Sequence, residues 1–247
     1  MNIYTDKSSF GTAYYVEQKL GPFARVSHVL HSWVPDGLKF WWMKTDAAEI
    51  EKVQRETADQ GTIIHGLIAT YLSGKTPVVE NEFAKKPFEN FVKWAKDVEL
   101  KIEGVEVPVY SKRYGLAGTL DAWGYWKKAT MPLVFDWKTG DIRDSHKIQG
   151  SLYSSFLSEM DIRVGNEICI VSIPRDGSNI TECVVNRYDY FDVGMKIYSL
   201  WKFDNKEKLK WAHAPQEVLD ARKKTRGKNR IKFDEENYKE EFEWKYL

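Results

Sequence analysis

Between Leu133 and Gly140 the chain reads LVFDWKTG, and no other stretch constrains the fold as strongly. A strand turns successive side chains to opposite faces, so Val134, Asp136 and Lys138 share one face while Leu133, Phe135 and Trp137 share the other. One face is apolar and the other ends in two charges. Buried charges are costly unless they meet each other or a metal, and the plainest reading is an ion pair between Asp136 and Lys138.

The surrounding segments say where such a strand sits. VEVPVYSKRYGLAGTLDAWGYWKKATMPLVFDWKTG alternates in short runs broken at Tyr114-Gly115 and from Lys127 to Pro132, which predicts three successive antiparallel strands. Ahead of them, AAEIEKVQRETADQGTIIHGLIATYL predicts one helix from about Asp46 to Leu72, terminated by Gly74. A second helix is predicted from Pro87 through Val98, opened by the proline, with Phe88, Phe91, Val92 and Ala95 at core spacing. Behind the strands, IQGSLYSSFLSEM is helical in period, EICIVSIPRDGSNITECVVNRY reads as a hairpin about Arg175 to Ser178, and DVGMKIYSLWKF reads as a helix.

Helix, three strands, helix, strands, helix is the order of an α/β domain, a central mixed sheet with an antiparallel meander flanked by helices. No repeat or low-complexity linker divides the chain, so one domain over residues 1-247 is expected. Residues 1-45 are expected to form an aromatic-rich helical segment, with Pro35, Asp36 and Gly37 as a turn between two short helices. Residues 220-247 run from a basic to an acidic block and read as a charged extension.

Charge sets limits on partners. With 37 basic and 36 acidic residues the net charge is +1, so any site for a polyanion must be local. Cys169 and Cys183 do not form a close pair of ligands, which argues against a structural zinc or a cysteine-held cluster. The opening MNIYTDKSSFGTAYY lacks the basic-then-apolar run of a signal peptide, and no apolar stretch reaches bilayer length. An intracellular, cytoplasmic protein with reduced thiols and no membrane partner is expected.

Several polar residues then stand out. Asp121, in GLAGTLDAWG, shares a strand face with Ala117, Thr119 and Trp123, and the short connection to the next strand brings it near Asp136. Two carboxylates roughly 5 Å apart repel by about 3 kcal/mol at an effective dielectric near 20, which a divalent cation would relieve. Oxygen-rich sites of this kind suit magnesium or manganese, although strand-end aspartates also cap turns. His65 lies on the long helix one turn after Gly61; a lone helical histidine is commonly structural, and with the two aspartates it would complete a site. Gln149 and Tyr153 form a one-turn pair on the helix after the DWK strand, either an ordinary helix edge or hydrogen-bonding groups aimed at the carboxylates.

Taken in order, GTIIH, GTLD, DWK and QGSLY resemble the signature of the PD-(D/E)xK nuclease superfamily, in particular its RecB-like exonuclease branch: G-x-x-x-H, G-x-x-D, D/E-x-K and Q-x-x-x-Y. The resemblance covers His65 to Tyr153, and VSHVLHSWVPDGLKFWW resembles the segment preceding it in phage and mitochondrial exonucleases of this branch. Leu120 stands where the family has a proline before its first acid.

The resemblance implies a restriction-endonuclease-like core and a Mg2+- or Mn2+-dependent deoxyribonuclease of a phage- or bacterium-type host. On the same resemblance it is expected to act on single-stranded or linear DNA ends in replication, recombination or repair. On this reading His65, Asp121 and Asp136 bind the metal with the Trp137 carbonyl, Lys138 orients and deprotonates water, and Gln149 and Tyr153 support Lys138 and the DNA backbone. Glu106 matches a first-strand glutamate of related exonucleases. Two cysteines cannot hold the four-cysteine iron-sulfur cluster of some members, and TYLSGKT lacks the earlier glycine of a phosphate loop, so no ATP-driven motor is expected.

Two rivals stand beside the exonuclease: a structure-specific endonuclease on the same core, and a nucleic-acid-binding module without turnover. Trp33, Phe40, Trp41 and Trp42 are expected mainly as core, with base stacking or a lid as the alternative. Polarity, strand preference and a recruiting partner are not legible.

Overall fold

The computed structural model describes residues 3–8, 11–16, 20–34, 36–127 and 129–212, with side chains from Phe23 to Lys206 except at Pro35 and Lys128. β1 (Ile3–Ser8), β2 (Gly11–Val16) and β3 (Leu20–Arg25) pair antiparallel in succession. Four helices follow: α1 (Val26–Leu30), α2 (Asp36–Lys44), α3 (Ala47–Leu72) and α4 (Glu82–Asp97). The expected meander is β4 (Lys101–Ser111), β5 (Leu116–Tyr125) and β6 (Leu133–Lys138), with antiparallel pairing at both junctions. After α5 (Asp144–Glu159) come the hairpin β7 (Glu167–Ser172) and β8 (Thr181–Asn186), and then α6 (Tyr188–Ala212).

All eight strands join one open sheet in the order β1-β2-β3-β5-β6-β7-β8, with β4 on β5. It is mixed, because β3 runs parallel to β5 and β6 parallel to β7. The β6–β7 step crosses over through α5, the length of connection a parallel pair requires. Period-two alternation on β6 and β7 separates two cores. Val134, Ile168 and Ile170 pack with α1, α5 and α6, against Val29, Ile148, Leu152, Phe156 and Trp201. Phe135, Trp137, Cys169 and Val171 pack with α3 and α4, against Ile64, Ile68, Phe91 and Trp94. Helices thus cover both faces, the arrangement anticipated from the element order.

Caps and turn residues set the helix ends. The Asp46 carboxylate accepts the Ala48 N–H at 2.8 Å and opens α3, and Gly74, at φ +75°, follows its end. Along α3 only Ile64 and Ile68 are buried, so its first half extends beyond the body of the domain. No helix among the described residues is long and apolar enough to cross a membrane.

The structure departs from expectation in four places. Ile3–Ser8, Gly11–Val16 and Leu20–Arg25 are strands, not helix; the two short helices of the segment begin only at Val26. α4 starts at Glu82, and Pro87 sits inside it, buried beside Ala84 and Phe91. Core packing outweighs the hydrogen bond that proline cannot donate there. The helix of the QGSLY motif begins at Asp144, a full turn earlier than its apolar period suggests. On β5, Leu120 and Trp123 pack into the same core cluster, which strict alternation forbids for residues three apart. The charged extension expected over residues 220-247 lies outside the described residues.

Candidate metal centre at a fork in the sheet

The meander sets three acids in register. β4 and β5 pair Val105 with Ala122 and Val107 with Leu120, which places Glu106 opposite Asp121. β5 and β6 pair Ala122 with Phe135, so one step farther Asp121 stands opposite Asp136. Three carboxylates therefore occupy one row across three neighbouring strands. Like charges directly opposite destabilise a sheet; the β4–β5 ladder skips this row and resumes at Val107–Leu120, and the β5–β6 ladder stops short of it. Glu106 adopts φ +49°, the left-handed region that a non-glycine residue enters at a cost. The β5–β6 ladder ends at Ala122–Phe135, and the Trp137 N–H donates to Asp121 Oδ2 at 2.8 Å.

This break opens a fork. β4 lines one edge of β5 throughout, while the other edge is shared by β3, at Leu116 and Ala117, and β6, from Ala122 onward. On that second edge the pairing with β3 reaches Ala117 and the pairing with β6 begins at Ala122. Because N–H and C=O of one strand residue point to the same edge, the Trp137 carbonyl also opens onto the fork.

α3 brings the imidazole. It approaches the end of β6 closely: a Cβ on Gly61 would stand 3.3 Å from Thr139 Oγ1. One turn later His65 Nδ1 lies 3.6 Å from Asp121 Oδ1, just beyond hydrogen-bond distance. His65, Glu106 and Asp121 offer ligand atoms that all lie within 4.8 Å of one another. Beside them Asp136, 1% exposed, meets the Lys138 ammonium at 2.6 Å.

Burial and mutual charge set the protonation states. Burial raises the Asp136 pKa to about 6; Lys138 opposes this and Asp121 adds to it. Burial would also raise Asp121, yet His65, Lys138 and the Trp137 N–H overcome it and hold the carboxyl below its usual range. Burial pulls His65 down, but the Asp121 charge prevails and the imidazole is displaced upward. Glu106 is raised by burial and then by Asp121. Burial disfavours the Lys138 ammonium, and Asp136 with Asp121 more than restores it, so the amine is held protonated.

α5 closes the fork from the other side. The Tyr153 side chain occupies the space over Gly118, where any Cβ would overlap it. The glycine of GTLD is therefore needed by the tyrosine of QGSLY. Gln149 Nε2 donates to Tyr153 Oη at 3.5 Å. One turn before Gln149, His146 Nδ1 accepts the Arg143 backbone N–H at 3.1 Å.

The structure thus brings His65 and Asp121 together, pairs Asp136 with Lys138 beside them, and sets Gln149 and Tyr153 on the adjoining helix. Asp136 stands outside the tight three-residue group, and Glu106 occupies the place expected of it. His146 was not singled out from sequence; its place three residues before Gln149, on the same helix face, was the available signal. None of Trp33, Phe40, Trp41 and Trp42, expected mainly as core, is buried. α2 has no buried residue, and Trp33 and Phe40 are exposed. Neither the known family models nor the curated proteins include a match to this chain.

Proposed function

We propose that the protein is a divalent-cation-dependent deoxyribonuclease of the RecB-like exonuclease branch, with a restriction-endonuclease-like core. It hydrolyses phosphodiester bonds at single-stranded or linear DNA ends in replication, recombination or repair. The observation that supports this reading is the row of three carboxylates, opened toward His65 and flanked by the Asp136–Lys138 pair.

The donor set fits the ion. Carboxylate oxygens, a carbonyl and one imidazole suit Mg2+ or Mn2+, and a row of acids that breaks its own ladders has charge to neutralise. His65, Glu106 and Asp121 would hold it, with Asp136 and the Trp137 carbonyl at its border. When bound it supplies charge neutralisation at the scissile phosphate and a lowered pKa for water.

The chain's own groups do the rest. Asp121 holds Trp137 N–H and so keeps β5 and β6 apart, which leaves room for a phosphate between them. With Asp136 at its side, Lys138 Nζ is an ammonium suited to steadying charge on the attacked phosphate. It serves as a base only once it no longer faces the whole Asp136 charge. Tyr153, 2% exposed, fixes the wall over Gly118. Exposed Trp33 and Phe40 and the cationic Lys39 and Lys44 give the α1–α2 segment the chemistry of a single-strand platform.

The test is a time course on 5′- and 3′-end-labelled linear DNA and on closed circles, with Mg2+ or Mn2+. Linear substrates should be degraded and circles spared, and Asp136→Ala or Lys138→Ala should lower the rate by about a thousandfold or more, as removal of preorganised charged groups does. Cleaved circles would favour the endonuclease, and full activity in either variant would overturn the reading.

A further inference from the structure

α5 carries a row of side chains at helical spacing: His146, Gln149 and Tyr153 stand at i, i+3 and i+7. The last of them is placed over Gly118 at the fork, which orients the whole row toward the site. His146 occupies the third position of the helix, and its Nδ1 accepts the backbone N–H of Arg143. A ring nitrogen that accepts a hydrogen bond carries no proton, so the neutral imidazole is fixed with its proton on Nε2. Burial, then the positive charges of Lys138 and Arg143, pushes the imidazole pKa down to about 3, so the ring is neutral wherever the protein is folded and active. Nε2 makes no hydrogen bond among the described residues. The result is a preset, uncharged donor in a neighbourhood made positive by Lys138 and Arg143, where an anion is favoured.

We infer that His146 is a substrate-binding residue whose Nε2–H donates to a non-bridging oxygen of the phosphodiester adjoining the one cleaved. The inference rests on the nuclease reading of the site. It adds a contact that the DWK and QGSLY motifs do not include, and it assigns the helix-capping imidazole a second role.

Two substitutions separate the roles, because both Gln and Glu at the third helical position can accept the Arg143 N–H and keep the helix start intact. His146→Gln retains a donor for the phosphate; His146→Glu presents a carboxylate instead. Both are made in full-length Lys138→Ala protein, so that a new Glu–Lys138 pair cannot confuse the result, and affinity for a short single strand is measured with Ca2+. Gln should bind within about threefold of its parent, and Glu should bind about thirtyfold more weakly, the scale of one lost hydrogen bond to a charged group. Equal affinities for Gln and Glu would overturn the inference and leave His146 as a cap alone. Wild-type protein assayed with Mn2+ keeps the two ideas apart. If it cleaves DNA while the variants bind equally, only this inference fails; if it cleaves no DNA, the nuclease reading fails and takes the inference with it.

Discussion

β6 has two unlike edges. Toward β7 it is paired without interruption from Val134–Ile168 to Lys138–Ser172, whereas toward β5 its pairing stops after Phe135. The backbone of β6 is common to both edges, so the difference lies in what stands opposite. On the β7 side Asp136 faces Ile170, and apolar side chains alternate between two cores. On the β5 side the next partner of Asp136 would be Asp121, itself opposite Glu106. Hydrogen-bonding geometry favours continuing the sheet, and carboxylate repulsion together with the Trp137–Asp121 bond opens it.

If repulsion opens the fork, a cation should relieve it, and this is the largest effect expected. Saturating Mn2+ at a hundred times its dissociation constant should stabilise the protein by about 2.7 kcal/mol, roughly 5–10 °C for a chain of this size. Asp121→Asn should lose most of that shift in a thermal melt; an undiminished shift would mean the ion binds elsewhere.

A smaller effect distinguishes the wall of the fork from ordinary helix. Gly118→Ala drives a Cβ into Tyr153 and should cost about 1–3 kcal/mol by overpacking. Gly66→Ala, in α3 with open space around it, should instead gain about 0.5–1 kcal/mol. Urea midpoints that moved in the same direction would contradict the packing described at Gly118.

The smallest effect concerns the β4 side of the row. Glu106→Gly removes a charge and a left-handed backbone strained by about 1 kcal/mol, offset in part by glycine's greater unfolded freedom. In EDTA the variant should unfold at slightly higher urea than its parent while its Mn2+ shift shrinks. Lower stability in EDTA would show that Glu106 is not under strain.

Much of this contrast was legible in the residues. The alternation of LVFDWK placed Asp136 and Lys138 together, and the short β5–β6 connection placed Asp121 near them. The long helix and its His65 followed from an apolar period and a terminal glycine. What could not be read was set by tertiary structure. The IYTDKS and GTAYYV strands show no clean apolar alternation, so their pairing depends on neighbours and not on period. Pro87 obeys the rule for a helix start, and only its burial against α4's own core places it inside. Glu106 is singled out by the resemblance alone, without a role, and only the register sets it opposite Asp121. The cap position of α5 is Arg143, with Asp144 and Ser145 already inside the helix, which hid the bond from Arg143 to His146.

The overhanging half of α3 has a mechanical meaning. Fourteen residues from Ala47 to Gln60, about 21 Å of helix at 1.5 Å per residue, precede the first close contact with β6 at Gly61. That segment is a cantilever clamped at one end by the sheet, and a pivot of about 10° at the clamp swings its far tip by about 4 Å. α2, with its exposed Phe40 and Met43, hangs from that tip. Such a swing would carry the aromatic surface several ångströms while His65, Glu106 and Asp121 at its root keep their places.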